Sequence, residues 1–152
     1  MNLSDITVSE VLPHDPPMVL LDRILAFEES MLIAEVTIRA DSMFCDGDGV
    51  PGWVGLEYMA QAVAAHAGLQ ARQRGEPPAI GYLLGTRSYL CEAETFPVGE
   101  KLTVHVESLF VEMALGAFAC RVESDRLLAT ATVNVYQPED DSMEDFDSGK
   151  IS

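Results

Sequence analysis

The sequence predicts an α+β fold in which an antiparallel sheet is wrapped around one long central helix. Residues 50–74 are predicted to form a helix that opens with a Pro-Gly pair, and its first four turns are apolar nearly all round, as expected of a helix buried in a core. The segments after it are typical of strands, and residues 102–106 and 129–135 alternate between apolar and polar side chains. A single sheet curled around a single helix buries both elements, and 152 residues suffice for one such domain.

The remaining elements are predicted from their local patterns. Residues 5–11 are expected to form a short helix stopped by Pro13, and an Asp-Gly-Asp-Gly turn at residues 46–49 precedes the long helix. Gly75 and two prolines end that helix. Strands are expected at residues 19–27, 31–38, 80–85, 87–93, 102–112, 115–122 and 127–136.

Charge and composition exclude several classes of protein. The formal net charge of −16 argues against nucleic-acid binding, which needs clustered Lys and Arg. No apolar run is long enough to span a membrane, and we expect no signal peptide. The three cysteines form no metal-binding pattern and suggest a reducing cytoplasm. Residues 1–138 are expected to be a single domain, and residues 139–152 an acidic, disordered tail.

One carboxylate is the principal candidate for chemistry. Glu57 lies in the early turns of the long helix, which has no wide polar face to hold it. Glutamate is rarely buried unless it is paired or used, and desolvation suits a carboxyl group to general acid/base work. The alternative is that Glu57 is solvated or bonded to a nearby hydroxyl, and the chemistry alone favours neither.

Three segments resemble a known family. Residues 12–24, LPHDPPMVLLDRI, are similar to its LPHR-x-P-hydrophobic-LLDR segment, with Asp15 where Arg is usual. Residues 50–61, VPGWVGLEYMAQ, are similar to its PG-x-x-x-x-(E/D)-x-x-x-Q segment, and residues 95–107 to its P-G-D-x-L strand entry. The family is the hot-dog-fold 3-hydroxyacyl-(acyl carrier protein) dehydratases. The chain resembles most the divergent branch encoded with aryl-polyene biosynthesis enzymes.

The resemblance implies a two-group dehydration mechanism. A histidine removes the α-proton of a 3-hydroxyacyl thioester, and a helix carboxyl group, here Glu57, protonates the leaving hydroxyl. A backbone N–H at the helix start, here that of Gly52 after Pro51, would bind the thioester carbonyl. The family's histidine position falls on Met43, so the usual base is absent and Met43 is expected to line the substrate site.

Other residues are weaker candidates for the base. His14 lies in a proline-framed loop and is the best of them, although a structural role, in which it holds the N-terminal loop by a hydrogen bond, is favoured over catalysis. His66 is expected to be a core or interface residue, and His105 a residue on a face of the sheet. Asp46 and Asp48 could act as bases, but an Asp-Gly-Asp-Gly run is more often only a turn.

Three functions remain open at this point: a dehydratase with a non-standard base, a thioesterase on the same fold, and a non-catalytic subunit of a hot-dog heterodimer. The expected substrate is an acyl thioester of acyl carrier protein or CoA, and no cofactor is implied. A homodimer or heterodimer is expected, because hot-dog sites generally form between subunits and an uncovered sheet edge needs a partner. Docking of an acidic carrier protein would need a basic patch, for which Arg72, Arg74 and Arg87 are candidates.

Overall fold

The computed structural model describes residues 2–12, 18–76, 82–113 and 115–136. The side chains of residues 82–84 and 87 lie outside this description, as do His14 and the predicted tail. The strands are β1 (Arg23–Glu28), β2 (Met31–Thr37), β3 (Gly49–Pro51), β4 (Tyr82–Cys91), β5 (Thr95–Pro97), β6 (Lys101–Glu112), β7 (Leu115–Glu123) and β8 (Leu127–Tyr136). The helix α1 spans Gly55–Gln73 and follows a 3-10 turn, Gly52–Val54.

Six of the strands form one antiparallel sheet in the order β1-β2-β6-β7-β8-β4, and β3 pairs with β5 in a separate ribbon. Alternate residues of the sheet are buried against α1, as Val104 of β6, Val122 of β7 and Val133 of β8 illustrate. The residues between them, such as His105, face outward. The predicted architecture of one sheet around one helix is therefore confirmed, and with it the period-two reading of these strands.

Several predicted boundaries are wrong in detail. The N-terminal segment forms two 3-10 turns, Leu3–Asp5 and Val8–Glu10, instead of one helix. Strand β1 starts only at Arg23 and not at residue 19. Before it, the Leu20 N–H donates to the Gln61 side chain and the Asp22 N–H to the Glu35 carbonyl oxygen, and these single bonds do not continue the strand ladder. The two strands expected around residue 86 are one strand, β4, in which two irregularities in the register absorb the apparent break.

The helix is also not covered on every side, contrary to the prediction. Glu57, Ala60, Ala64 and Ala67 follow one another along a face of α1, and each keeps part of its surface exposed. Sheet contacts and the N-terminal turns cover the other faces. The acid therefore lies on the partly open face and not in a closed core.

Gly68 marks the closest approach between α1 and the N-terminal turns. A Cβ atom added at this position would fall inside contact distance of the Val11 carbonyl oxygen. We expect Gly68→Ala to lower the free energy of unfolding by about 1–3 kcal/mol, since a backbone shift outweighs alanine's helix preference of about 1 kcal/mol. Urea denaturation measures this. Gly116→Ala is the control, because its new Cβ would meet nothing nearer than 3.5 Å.

His66 anchors the middle of α1 to the turn between β1 and β2. Its Nε2 lies 3.1 Å from the Glu28 carbonyl oxygen and 3.0 Å from that of Glu29, and its ring contacts Phe27 and Phe118. Burial lowers the pKa of His66 below its ordinary value, and the two carbonyl bonds offset this only in part. The expected core histidine is confirmed.

This lowered pKa predicts that stability depends on pH. The unfolded chain binds a proton on His66 more readily than the folded chain does, so the stability present above the ordinary pKa of 6.5 is lost as the pH falls below it. We expect His66→Gln to flatten this decline in urea denaturation between about pH 7 and pH 5. The same experiment with His105→Gln separates the contribution of His105, whose pKa is lowered by burial and by Arg121.

Candidate active site

Glu57 is held by an amide four residues further along the helix. The Gln61 side chain is fully buried, and its Nε2 donates to Oε2 of Glu57 at 3.0 Å and to the Met18 carbonyl oxygen at 2.7 Å. Its Oε1 accepts from the Leu20 N–H at 2.8 Å. Because a backbone N–H can only donate, the amide orientation is fixed and Nε2 must face the carboxylate. One carboxyl oxygen of Glu57 is thus fixed in position.

The segment that contacts Gln61 is itself tied to the sheet. Asp22 accepts hydrogen bonds from the Thr37 N–H and, at 2.8 Å, from Nη1 of Arg39. Arg23 pairs with the nearly buried Glu35 at 2.8 Å. The LLDR motif therefore has a structural role: it fixes the chain that carries Met18 and Leu20 against α1.

Met43 and Trp53, which precede α1 in the sequence, are both exposed apolar residues. Met43 is 46% exposed and Trp53 is 62% exposed, and Phe44 packs its ring edge-on against Trp53 with centroids 5.7 Å apart. The neighbouring Asp-Gly-Asp-Gly run forms the predicted turn, which is closed by the Asp46 N–H donating to the Gly49 carbonyl oxygen.

Gly52 does not present the free backbone donor that was expected. Its N–H donates to the Glu94 carbonyl oxygen at 2.8 Å, and its own carbonyl oxygen accepts from the Tyr89 hydroxyl at 2.6 Å. The β3–β5 ribbon, in which Pro51 pairs with Thr95, brings residues 93–95 against the helix start. This long-range pairing was not predicted, and it occupies the Gly52 N–H that was expected to face the thioester.

The two histidines of the described ranges, His66 and His105, make contacts away from Glu57. His66 contacts the β1–β2 turn, and His105 lies on the outward face of the sheet, as expected. There Arg121 donates to its Nδ1 at 3.1 Å, so Nε2 carries the proton toward Glu123. A cavity of about 450 Å³ opens beside His105 on that outward face, and Glu57 does not line it. His14, the other base candidate, lies outside the described residues.

Within the part of the chain that the structure describes, no group of three or more His, Cys, Asp or Glu side chains could hold a metal ion. No helix there is long and apolar enough to cross a membrane.

The family to which this fold belongs is that of the hot-dog dehydratases. The model of the ApeP-like family, described as ApeP dehydratase, matches residues 6–147, and the chain belongs to this family. The 3-hydroxyacyl-(acyl-carrier-protein) dehydratase FabZ of Deinococcus radiodurans is 30% identical over 125 residues, which are 78% of this chain and 81% of that protein. That of Anaeromyxobacter dehalogenans strain 2CP-C is 31% identical over 111 residues, 69% of this chain and 70% of the relative.

Solved structures agree. A chain of the dehydratase heterocomplex ApeI:P from Xenorhabdus doucetiae is 30% identical and superimposes with a TM-score of 0.84, covering 93% of this chain and 97% of that one. A protein from Streptococcus pneumoniae described as a hypothetical thioesterase, with coenzyme A, is only 11% identical, with a TM-score of 0.61 over 76% of this chain and 84% of that one. It shows the fold alone. The predicted hot-dog fold and the predicted 3-hydroxyacyl dehydratase-like function are confirmed.

Proposed function

We propose that this chain is the acid-bearing subunit of a heterodimeric dehydratase acting on 3-hydroxyacyl thioesters in fatty-acid or polyene-type biosynthesis. The observation that carries the proposal is the carboxyl group of Glu57, fixed through Gln61 on the partly open face of α1. Glu57 protonates the leaving 3-hydroxyl, and a histidine of the partner subunit removes the α-proton. The thioester carbonyl acidifies that proton, so the chemistry needs no cofactor.

The charge of the chain favours a different subunit over a second copy as the partner. Two copies, each with a formal charge of −16, repel one another, whereas a less acidic subunit avoids this cost. Among known relatives, the ApeI:P assembly is a heterocomplex. A partner would also supply the catalytic base, because in this chain Met43 stands at the position of the family's histidine. A homodimer with His14 as its base is the competing arrangement.

Docking of the substrate also favours a second subunit. Carrier proteins are acidic, and the arginines suggested as a docking patch are already paired: Arg72 with Glu10 at 3.3 Å, and Arg74 with Glu76 at 3.0 Å. The side chain of Arg87 is not described. We infer that the partner binds the carrier protein or CoA while this chain contributes the acid.

The cysteines Cys45, Cys91 and Cys120 are all free thiols, in keeping with a cytoplasmic enzyme.

Product analysis tests the proposed function. The full chain is assembled with an ApeI-type subunit and given a 3-hydroxyacyl thioester of CoA or carrier protein. Formation of the enoyl thioester, followed by its absorbance, supports the proposal. Release of free thiol without enoyl product would instead indicate a thioesterase, and absence of both products from a stable complex would refute an enzymatic role for this pair.

A further inference from the structure

The start of α1 is held by a hydroxyl group that the proposed mechanism does not use. The Tyr89 hydroxyl donates to the Gly52 carbonyl oxygen at 2.6 Å. It occupies the space beside Gly55, where an added Cβ would fall inside contact distance of the hydroxyl oxygen. A tyrosine hydroxyl is protonated and can donate at neutral pH, and burial, together with Cys91, raises the pKa of Tyr89 further above its ordinary value.

An irregularity of the edge strand β4 aims this side chain at the helix. Arg87 pairs with Thr132 and Leu90 with Thr130, so two residues, Ser88 and Tyr89, oppose a single position of β8. Ser88 has a φ of 55°, a conformation unusual for any residue but glycine. Ser88 and the 66% exposed Leu90 line the outward cavity, while Tyr89 packs against the core. Bulges of this kind re-aim side chains next to functional sites.

We infer that Tyr89 is a positioning residue for the catalytic acid. Both backbone polar groups of Gly52 are hydrogen-bonded: its N–H donates to the Glu94 carbonyl oxygen, and its carbonyl oxygen accepts from the Tyr89 hydroxyl. The helix α1 begins three residues later and carries Glu57 in its first turn. The contact therefore sets the direction in which the helix leaves the β3–β5 ribbon, and so the place of the carboxyl group. The catalytic part of this inference rests on the proposed function; the structural part does not.

Kinetics of Tyr89→Phe in the full chain, assembled with its histidine-bearing partner, test the catalytic part. We expect kcat for enoyl formation to fall about 10-fold with KM nearly unchanged, because small misplacements of a catalytic group cost rate more than binding. Tyr58→Phe is the matched control, since Tyr58 is also buried but packs on Phe96 and not on the Gly52 carbonyl. A wild-type kcat for Tyr89→Phe, or an equal loss in Tyr58→Phe, would overturn the catalytic role.

Amide hydrogen exchange tests the structural part without any turnover. We expect exchange at residues 52–58 to rise about 10-fold in Tyr89→Phe, while the far end of α1 keeps its protection. Unchanged exchange there would overturn the inference whatever the activity. A wild-type complex that makes no enoyl product would refute the proposed function and leave this readout intact.

A double variant adds a second check on the contact. Gly55→Ala pushes a methyl group against the Tyr89 hydroxyl, so we expect it to raise exchange at the helix start. Once the hydroxyl is gone, that clash disappears, and Tyr89→Phe combined with Gly55→Ala should be no worse than Gly55→Ala alone. Strictly additive effects of the two substitutions would contradict the proposed contact.

Discussion

Glu57→Gln is expected to lower the rate of enoyl formation by about 10²–10⁴-fold, the usual contribution of a general acid. The substitution preserves the shape of the side chain and removes its transferable proton. The amide oxygen of the new side chain can still accept from Gln61 Nε2, so the contact that fixes Glu57 Oε2 at 3.0 Å is retained. The measurement is the initial rate of the assembled complex at saturating thioester, followed by absorbance.

The matched control is Glu10→Gln. It also removes one carboxylate, but from an exposed pair with Arg72 at the other end of α1. Exposed pairs contribute less than about 1 kcal/mol, so this variant should keep both its rate and its melting temperature. Near wild-type turnover in Glu57→Gln, with the fold intact by circular dichroism, would exclude Glu57 as the acid.

The main elements of the fold were predictable because their patterns are local. The apolar run of α1 and the alternation in β8 each report burial within one segment, and β8 was predicted with its observed bounds. The single strand β4 was predicted as two, because its irregularities break the alternation that reveals a strand. Local sequence gives no sign of how such an irregularity is absorbed by the neighbouring strand.

The site was predictable only in part, for a related reason. Glu57 was identified because a carboxylate inside an apolar helix conflicts with its surroundings. The hydrogen bonds between Gln61 and residues 18 and 20, and between Gly52 and Glu94, join segments about 40 residues apart and depend on the assembled fold. Tyr89 had no signal at all, since its direction follows from the backbone at Ser88. The base is the largest gap, because Met43 stands where the family's histidine is expected.

The absence of the family's histidine from this chain leads to the second prediction with a large expected effect. The purified chain alone is expected to form enoyl product slowly or not at all. Addition of a hot-dog subunit with histidine at the position matching Met43 is expected to raise the rate by about 10²-fold or more, the typical contribution of a general base. The physical reason is that thioether sulfur cannot accept the α-proton, while His66 and His105 have their rings engaged away from Glu57.

The measurement compares turnover of this chain alone, the partner alone and the mixture at equal total protein. Replacing the partner's histidine with alanine should return the mixture to the level of the chain alone, whereas His14→Ala in this chain should leave the mixture unchanged. Robust activity of the chain by itself, lost in His14→Ala, would contradict the partner-supplied base and assign that role to His14. Sedimentation of the same samples then distinguishes the two arrangements directly: a mixed dimer is expected here, since the charge of −16 disfavours self-association.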